Sequence, residues 1–161
     1  MLKVILASAM LMAGTAEARS ISPFTLPQMN GLIEQTEFST DDYEDGIYVI
    51  EVYQLRCGYC DDNAPNMAAM AEEFAGVERI KFIDLGIDSS DRDYHQWIAR
   101  HNVQHYVLKD AGARVFSELG GRGTPTSYVL DSDLNVLWEH EGVWTSFAKE
   151  DLRNLLSDMA D

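Results

Sequence analysis

The seven residues Ile47-Tyr48-Val49-Ile50-Glu51-Val52-Tyr53 form an apolar run broken only by Glu51. A run of this length, without the alternation of a half-exposed strand, belongs to a strand covered on both faces by other elements. Arg56-Cys57-Gly58-Tyr59-Cys60 follows directly. Met67, Met70, Ala71 and Phe74 then recur at helical spacing and predict an amphipathic helix ending near Gly76. Beyond it, 80–85 reads as a strand and 91–102 as a helix carrying Trp97 and Ile98. A short extended piece is expected at 106–108 and one or two helical turns at 113–119. Two strands, 127–130 and 136–138, flank the polar turn Asp131-Ser132-Asp133. Ala148, Leu152, Leu155, Leu156 and Met159 mark a final helix capped by Thr145 or Ser146. Upstream, Phe24 to Phe38 suggests a hairpin turning at Asn30-Gly31. This order predicts an α/β fold in which helices flank a mixed sheet with a parallel part and an antiparallel edge.

Residues 1–18 differ from the rest. A basic start (Lys3), an apolar stretch from Val4 to Gly14 and the small-x-small site Ala16-Glu17-Ala18 make a signal peptide, with cleavage expected after Ala18. An uncleaved anchor or a first helix is the other reading of these residues, although the run is short for a bilayer, which takes about 20 apolar residues. The expected organisation is therefore a signal peptide, 1–18, followed by one domain, 19–161, exported to the periplasm as a soluble protein. A chain of 161 residues holds one domain of ordinary size. Its net charge of −15, with only 12 Lys and Arg, argues against a nucleic-acid partner, since phosphate backbones are held by clustered cations. The spread of acidic residues reads as a solvated surface or as steering for a basic partner.

The only cysteines are Cys57 and Cys60. Residues three apart on a helix lie about 5–6 Å from each other, within the Cα separation that a disulfide accepts, so the pair can close and open without refolding. A thiolate at a helix N-terminus faces unpaired N–H groups and the positive end of the helix dipole, which lowers its pKa and makes it a nucleophile. Cys57 is so placed, with Arg56 available to lower it further. Cys60, one turn deeper, is placed to resolve a mixed disulfide. Such exchange needs no cofactor and no metal. Three other readings remain: a structural disulfide, which would close too short a loop to stabilise much; half of a zinc site, for which His95, His101, His105 and His140 give no fitting spacing; and copper held by the two sulfurs and a histidine. The tryptophans and most methionines read as packing residues.

With these motifs the chain resembles the thioredoxin superfamily, and more narrowly the exported TlpA/ResA-like thiol-disulfide oxidoreductases, over nearly the whole of 19–161. Pro23-Phe24-Thr25-Leu26-Pro27 with Asn30-Gly31 resembles that family's N-terminal hairpin, and Ile47 to Cys60 its strand leading into the redox pair. Pro65 matches a proline of the active-site helix. The segment 108–115 resembles the stretch after the family's extra central helix, and Arg122-Gly123-Thr124-Pro125-Thr126 the loop in which the family carries a cis proline. The resemblance implies a thioredoxin fold with an N-terminal β-hairpin and an extra central helix. It also implies that the backbone at Thr124-Pro125 pairs with a substrate strand beside Cys57. Tyr59 is then a candidate to contact substrate or to cover the sulfurs, and Arg56 to flank the site.

Glu51 is costly in an apolar run unless paired or protonated. Standing six residues before Cys57, it matches the buried acid of thioredoxins, which assists proton transfer at the second cysteine; alternatively it points to solvent or to a lysine. The chain has Arg56 where the family usually has tryptophan, Tyr59 where proline is common, and Asn63 where a glutamate often stands. Cys-Gly-Tyr-Cys, with Thr before Pro, instead resembles the DsbC/DsbG isomerases, whose separate dimerisation domain has no room here. The whole-chain likeness implies a monomeric reductase that acts on cysteine-containing exported proteins and is recharged by a membrane thiol-disulfide electron donor. The motif implies an oxidant or isomerase.

Overall fold

The computed structural model describes residues 19–31 and 36–160; the expected signal peptide lies outside the described residues. The chain runs β1 (Thr25–Pro27), β2 (Glu37–Ser39), β3 (Ile47–Tyr53), α1 (Gly58–Glu73), β4 (Ile80–Gly86), α2 (Asp91–His101), β5 (Tyr106–Lys109), α3 (Arg114–Glu118), β6 (Thr126–Leu130), β7 (Val136–Glu141) and α4 (Ser146–Ala160). A five-stranded sheet has the order β5-β4-β3-β6-β7, and β1 and β2 form a separate antiparallel pair. Strands β3, β4 and β5 are parallel, β6 pairs antiparallel with β3, and β7 pairs antiparallel with β6, giving the expected mixed sheet. This is a thioredoxin fold with an N-terminal hairpin.

The apolar run takes the central position, and all seven of its residues are buried. Successive side chains of a strand alternate between faces. Tyr48, Ile50 and Val52 therefore meet Phe24, Leu26, Phe38 and Phe116 on one side of the sheet. On the other side, Ile47 and Val49 meet Met67 and Met70 of α1 and Leu152 and Leu156 of α4. Tyr53, on that second side, packs with Cys60, Ala64 and Trp97 where α1 begins.

Local signals set the ends of the helices. Asn102 takes the left-handed conformation (φ 48°) that closes α2, its N–H bonding to Ile98 O. That turn separates His101 from His105. Thr145 caps α4, its Oγ1 accepting from Ala148 N at 3.1 Å.

The hairpin forms, but not through a two-residue turn at Asn30-Gly31. Pro27 pairs with Glu37, so nine residues, 28–36, join the strands. Asn30 is engaged elsewhere: its Nδ2 donates to His105 O, its Oδ1 accepts from Val107 N at 3.2 Å, and Met29 N donates to Val107 O at 2.8 Å. The outer edge of β5 thus recruits the segment that a local turn rule assigns to the hairpin. At the other end of the sheet, Ile21 N donates to Leu134 O at 3.1 Å, and Val136 N to Arg19 O at 2.7 Å.

Leu152 is fully buried between α4 and the sheet. Replacing Leu152 with Ala is expected to lower stability by about 2–5 kcal/mol in guanidinium unfolding. A loss of less than about 1 kcal/mol would mean that this contact does not hold α4 in place.

Candidate functional site: a cysteine pair over a buried carboxyl

The turn after β3 delivers Cys57 to the N-cap of α1 and Cys60 to its first turn. The two are joined as a disulfide with a Cα separation of 5.1 Å, inside the interval expected from the spacing. Cys57 has extended backbone (φ −124°, ψ 103°), and its Sγ accepts from Cys60 N at 3.2 Å. It is half-buried, whereas Cys60 is fully buried. The helix therefore presents one sulfur to solvent, among its unpaired N–H groups, and keeps the other behind it.

The loop before β6 supplies the opposite wall, and its Thr124–Pro125 peptide bond is cis. Thr124 Oγ1 is 3.5 Å from Cys57 Sγ and 3.4 Å from Gln54 Oε1. Thr124 O also lies 3.5 Å from the sulfur. In the disulfide this last contact is only an approach, because the sulfur carries no proton; in the reduced thiol it is a place for the S–H to donate. Arg56 and Tyr59 are both exposed, Tyr59 at 71%. Among the described residues Arg56 has no hydrogen-bond or ion-pair partner.

Beneath α1 lies a belt of polar groups. Glu51 has no exposed surface. Asn63, one turn after Cys60 on α1, donates from Nδ2 to Glu51 Oε2 at 2.5 Å, and its Oδ1 accepts from Trp144 N at 2.8 Å and from Asn66 Nδ2 at 2.9 Å. Glu51 Oε1 is buried with no hydrogen-bond partner. Desolvation, reinforced by the neighbouring Asp84 carboxyl, pushes the Glu51 carboxyl well above the ordinary glutamate range; the Asn63 amide pulls the other way and does not prevail. Glu51 thus points inward, neither to solvent nor to a lysine.

Sequence reasoning missed Asp84. It carries the same signal as Glu51, a carboxylate inside the strand Ile80–Gly86, and it is Glu51's register partner on β4. Asp84 Oδ2 accepts from Trp97 Nε1 at 2.8 Å, and Asp84 Oδ1 lies 2.8 Å from His105 Nε2. Ser127, the register partner of Glu51 on β6, accepts from Trp144 Nε1 at 2.8 Å. Among the described residues no group of three or more His, Cys, Asp or Glu side chains stands together as a metal site.

Two measurements follow from this geometry. Asn63→Ala leaves Glu51 Oε2 and Trp144 N without their partners, and at about 1–3 kcal/mol for each buried group it should cost at least about 2 kcal/mol in denaturant unfolding. A near-neutral variant would show that water replaces the amide. Glu51 keeps its proton in the native state to a higher pH than in the unfolded chain, where the ordinary value is 4.5. Unfolding therefore releases a proton once the pH exceeds that value, and stability falls as pH rises from there toward the raised native value. Glu51→Gln should flatten that decline; an unchanged pH profile would place the linkage on another group.

The AhpC/TSA family model matches residues 18–139. No curated protein gives a significant match. Among solved structures, the chain is similar to a protein described as thiol:disulfide interchange protein DsbE from Chlorobium tepidum, at 19% identity and TM-score 0.75, covering 89% of this chain and 97% of that one. It is similar to StoA from Bacillus subtilis at 14% identity and TM-score 0.67, covering 84% and 96%. A secreted Mycobacterium tuberculosis disulfide oxidoreductase homologous to E. coli DsbE matches at 12% identity and TM-score 0.66, covering 84% and 95%. At these identities the structures speak to the fold. The chain belongs to the AhpC/TSA family, as a thioredoxin-like oxidoreductase fold with a CxxC disulfide at the head of its first long helix.

Proposed function

We propose that this protein is an exported thiol-disulfide oxidoreductase that exchanges its Cys57–Cys60 pair with cysteines of other exported proteins, acting as a reductase. The observation that carries the reading is the inequality of the two sulfurs: Cys57 caps α1 at the surface beside Thr124-Pro125, and Cys60 is fully buried behind it. In the reduced protein Cys57 is the nucleophile. Its thiolate would be stabilised by the Cys60 N–H, the Thr124 hydroxyl and the helix dipole. It attacks a client disulfide, forming one mixed S–S bond and releasing one client thiolate. Cys60 then loses its proton to the Glu51 carboxylate and attacks the Cys57 sulfur. The internal disulfide closes and the second client thiolate leaves. Both electrons pass to the client, its thiolates take protons from water, and the Glu51 proton returns to solvent.

The backbone at Thr124, beside a cis proline, suits main-chain pairing with an extended client segment, and exposed Tyr59 and Arg56 flank that approach. Export rests on the expected signal peptide, 1–18. Among the described residues no helix is long and apolar enough to cross a membrane. The family resemblance implies that such a reductase is recharged by a membrane thiol-disulfide donor. The protein is proposed to act as a monomer. A specific observation favours a second direction: Cys-Gly-Tyr-Cys together with Thr124 before Pro125 resembles the disulfide isomerases.

The reduction potential in glutathione buffers separates the two directions. A value near or below about −230 mV fits a reductase, and one between about −120 and −180 mV an oxidant or isomerase. Cys60→Ser should accumulate mixed disulfides through Cys57. If none form, or if Cys57→Ser retains exchange activity, the mechanism fails.

A further inference from the structure

Glu51 and Asp84 are register partners on adjacent parallel strands, and both are buried on the sheet face beneath α1. Neighbouring strands lie about 4.8 Å apart, so two carboxyls stand side by side where water does not reach. Two such groups do not both ionise readily unless a positive charge is at hand. Among the described residues no lysine or arginine contacts either of them. Glu51 is bonded by the Asn63 amide, and Asp84 by the Trp97 indole and by His105. His105 is therefore the one partner that can bring positive charge to the pair. It is itself buried, at 8% exposure, beside a groove lined by Pro65, Gln104 and Tyr106.

The other groups around Glu51 leave this arrangement without a competitor. From α1 comes Asn63, from β6 the neutral Ser127, and two residues along its own strand Tyr53, which packs with Cys60 and is backed by Tyr94 and Trp97 of α2. Tyr53 and Tyr94 are pushed far up by burial and stay neutral. His101 of α2 packs against Trp97 at a tilt of 57°, but its Nε2 is turned to Asp61, 2.8 Å away. His140, the register partner of Ser127, has its Nε2 3.2 Å from Val143 O. Glu51 Oε2 is occupied as an acceptor from Asn63, which leaves the unpartnered Oε1 as the atom that takes up or gives off the proton.

We propose that Asp84 and His105 are positioning residues for Glu51: together they set whether Glu51 holds a proton, and through it when Cys60 can give one up. Its consequence for Cys60 rests on the exchange mechanism proposed above; its electrostatic content does not. In the resolving step the proton leaves Cys60 Sγ for Glu51 Oε1, the Cys60 sulfur bonds to the Cys57 sulfur, and the client sulfur departs with its electron pair. With Asp84 ionised beside it, Glu51 is a stronger base. His105, 2.8 Å from Asp84 Oδ1, is the group placed to moderate that basicity.

The test is a carboxyl-carbon NMR titration of the oxidised full chain, paired with the pH profile of the single-turnover resolving step. The upper carboxyl midpoint is the quantity followed. Asp84→Asn removes the like charge and should lower the midpoint by about one pH unit or more. His105→Gln strips the pair of its counter-charge and should raise it by a similar amount. Both shifts should vanish from the pH profile in a Glu51→Gln background. Shifts of opposite sign are not produced by mere loss of packing. Midpoints that stay put, or move in the same direction, overturn the proposal. If Asp84→Asn does not fold, the sign of the His105→Gln shift decides alone. If the wild-type protein exchanges no disulfide while the NMR midpoints still move oppositely, the functional reading fails and this one stands.

Discussion

The placing of the cysteine pair depends on how the first half of α1 is held against the sheet, and one side-chain amide carries much of that connection. Asn63 donates to Glu51 on the central strand and accepts from the backbone N–H of Trp144, in the connection that leads into α4. Helix, strand and connection are thereby fixed to one another by groups that water cannot replace at low cost once buried. Pro65, two residues further along α1, has no N–H to give to the helix ladder, so the hold on this part of the helix comes from side chains more than from its own backbone. The sulfur geometry follows from that anchorage.

The turn leading into the pair is held from another direction. Leu55 N donates to Asp88 Oδ2 at 2.8 Å, and Arg100 Nη1 reaches both Leu55 O at 3.3 Å and Asp61 Oδ1 at 3.0 Å. Partial burial opposes ionisation of Asp61, but Arg100 and His101 outweigh it and keep that carboxyl below its ordinary range. In a chain with net charge −15, Arg100 places one of its 12 Lys and Arg residues beside the loop that carries the disulfide. The inner belt has no arginine or lysine among the described residues, and this contrast between a solvated, neutralised carboxylate at Asp61 and a desolvated one at Glu51 divides structural from chemical work within a few residues of Cys60.

Much of this was legible in the sequence. The apolar run could only be a central strand, the helical spacing of Met67, Met70 and Phe74 named the face of α1 that packs on it, and Cys57 and Cys60 fell where a helix begins. The cis Thr124–Pro125 bond was implied by resemblance and not by composition. Two things escaped. Asn30-Gly31 has the chemistry of a tight turn, but Asn30 satisfies the open edge of a strand some seventy-five residues later, and no local rule sees a partner that distant. Asp84 was visible as a charge in an apolar strand, yet its importance lies in being beside Glu51, and that neighbour is set by strand register, which a single chain does not spell out. Asn63 stood out only as a departure from a family pattern, and its role became clear from what it touches.

The segment from Arg19 to Asn30 touches both ends of the sheet: its first residues pair with the start of β7, and its last lie along β5. The Arg19–Glu139 ion pair joins residues 120 positions apart in the chain. This strap and the β7 edge that receives its first residues are far apart in the chain, so docking it carries a loop-closure entropy. Until it docks, both edges of the sheet are open to pair with other strands. The strap is accordingly what closes both edges of the sheet against pairing with strands of other molecules.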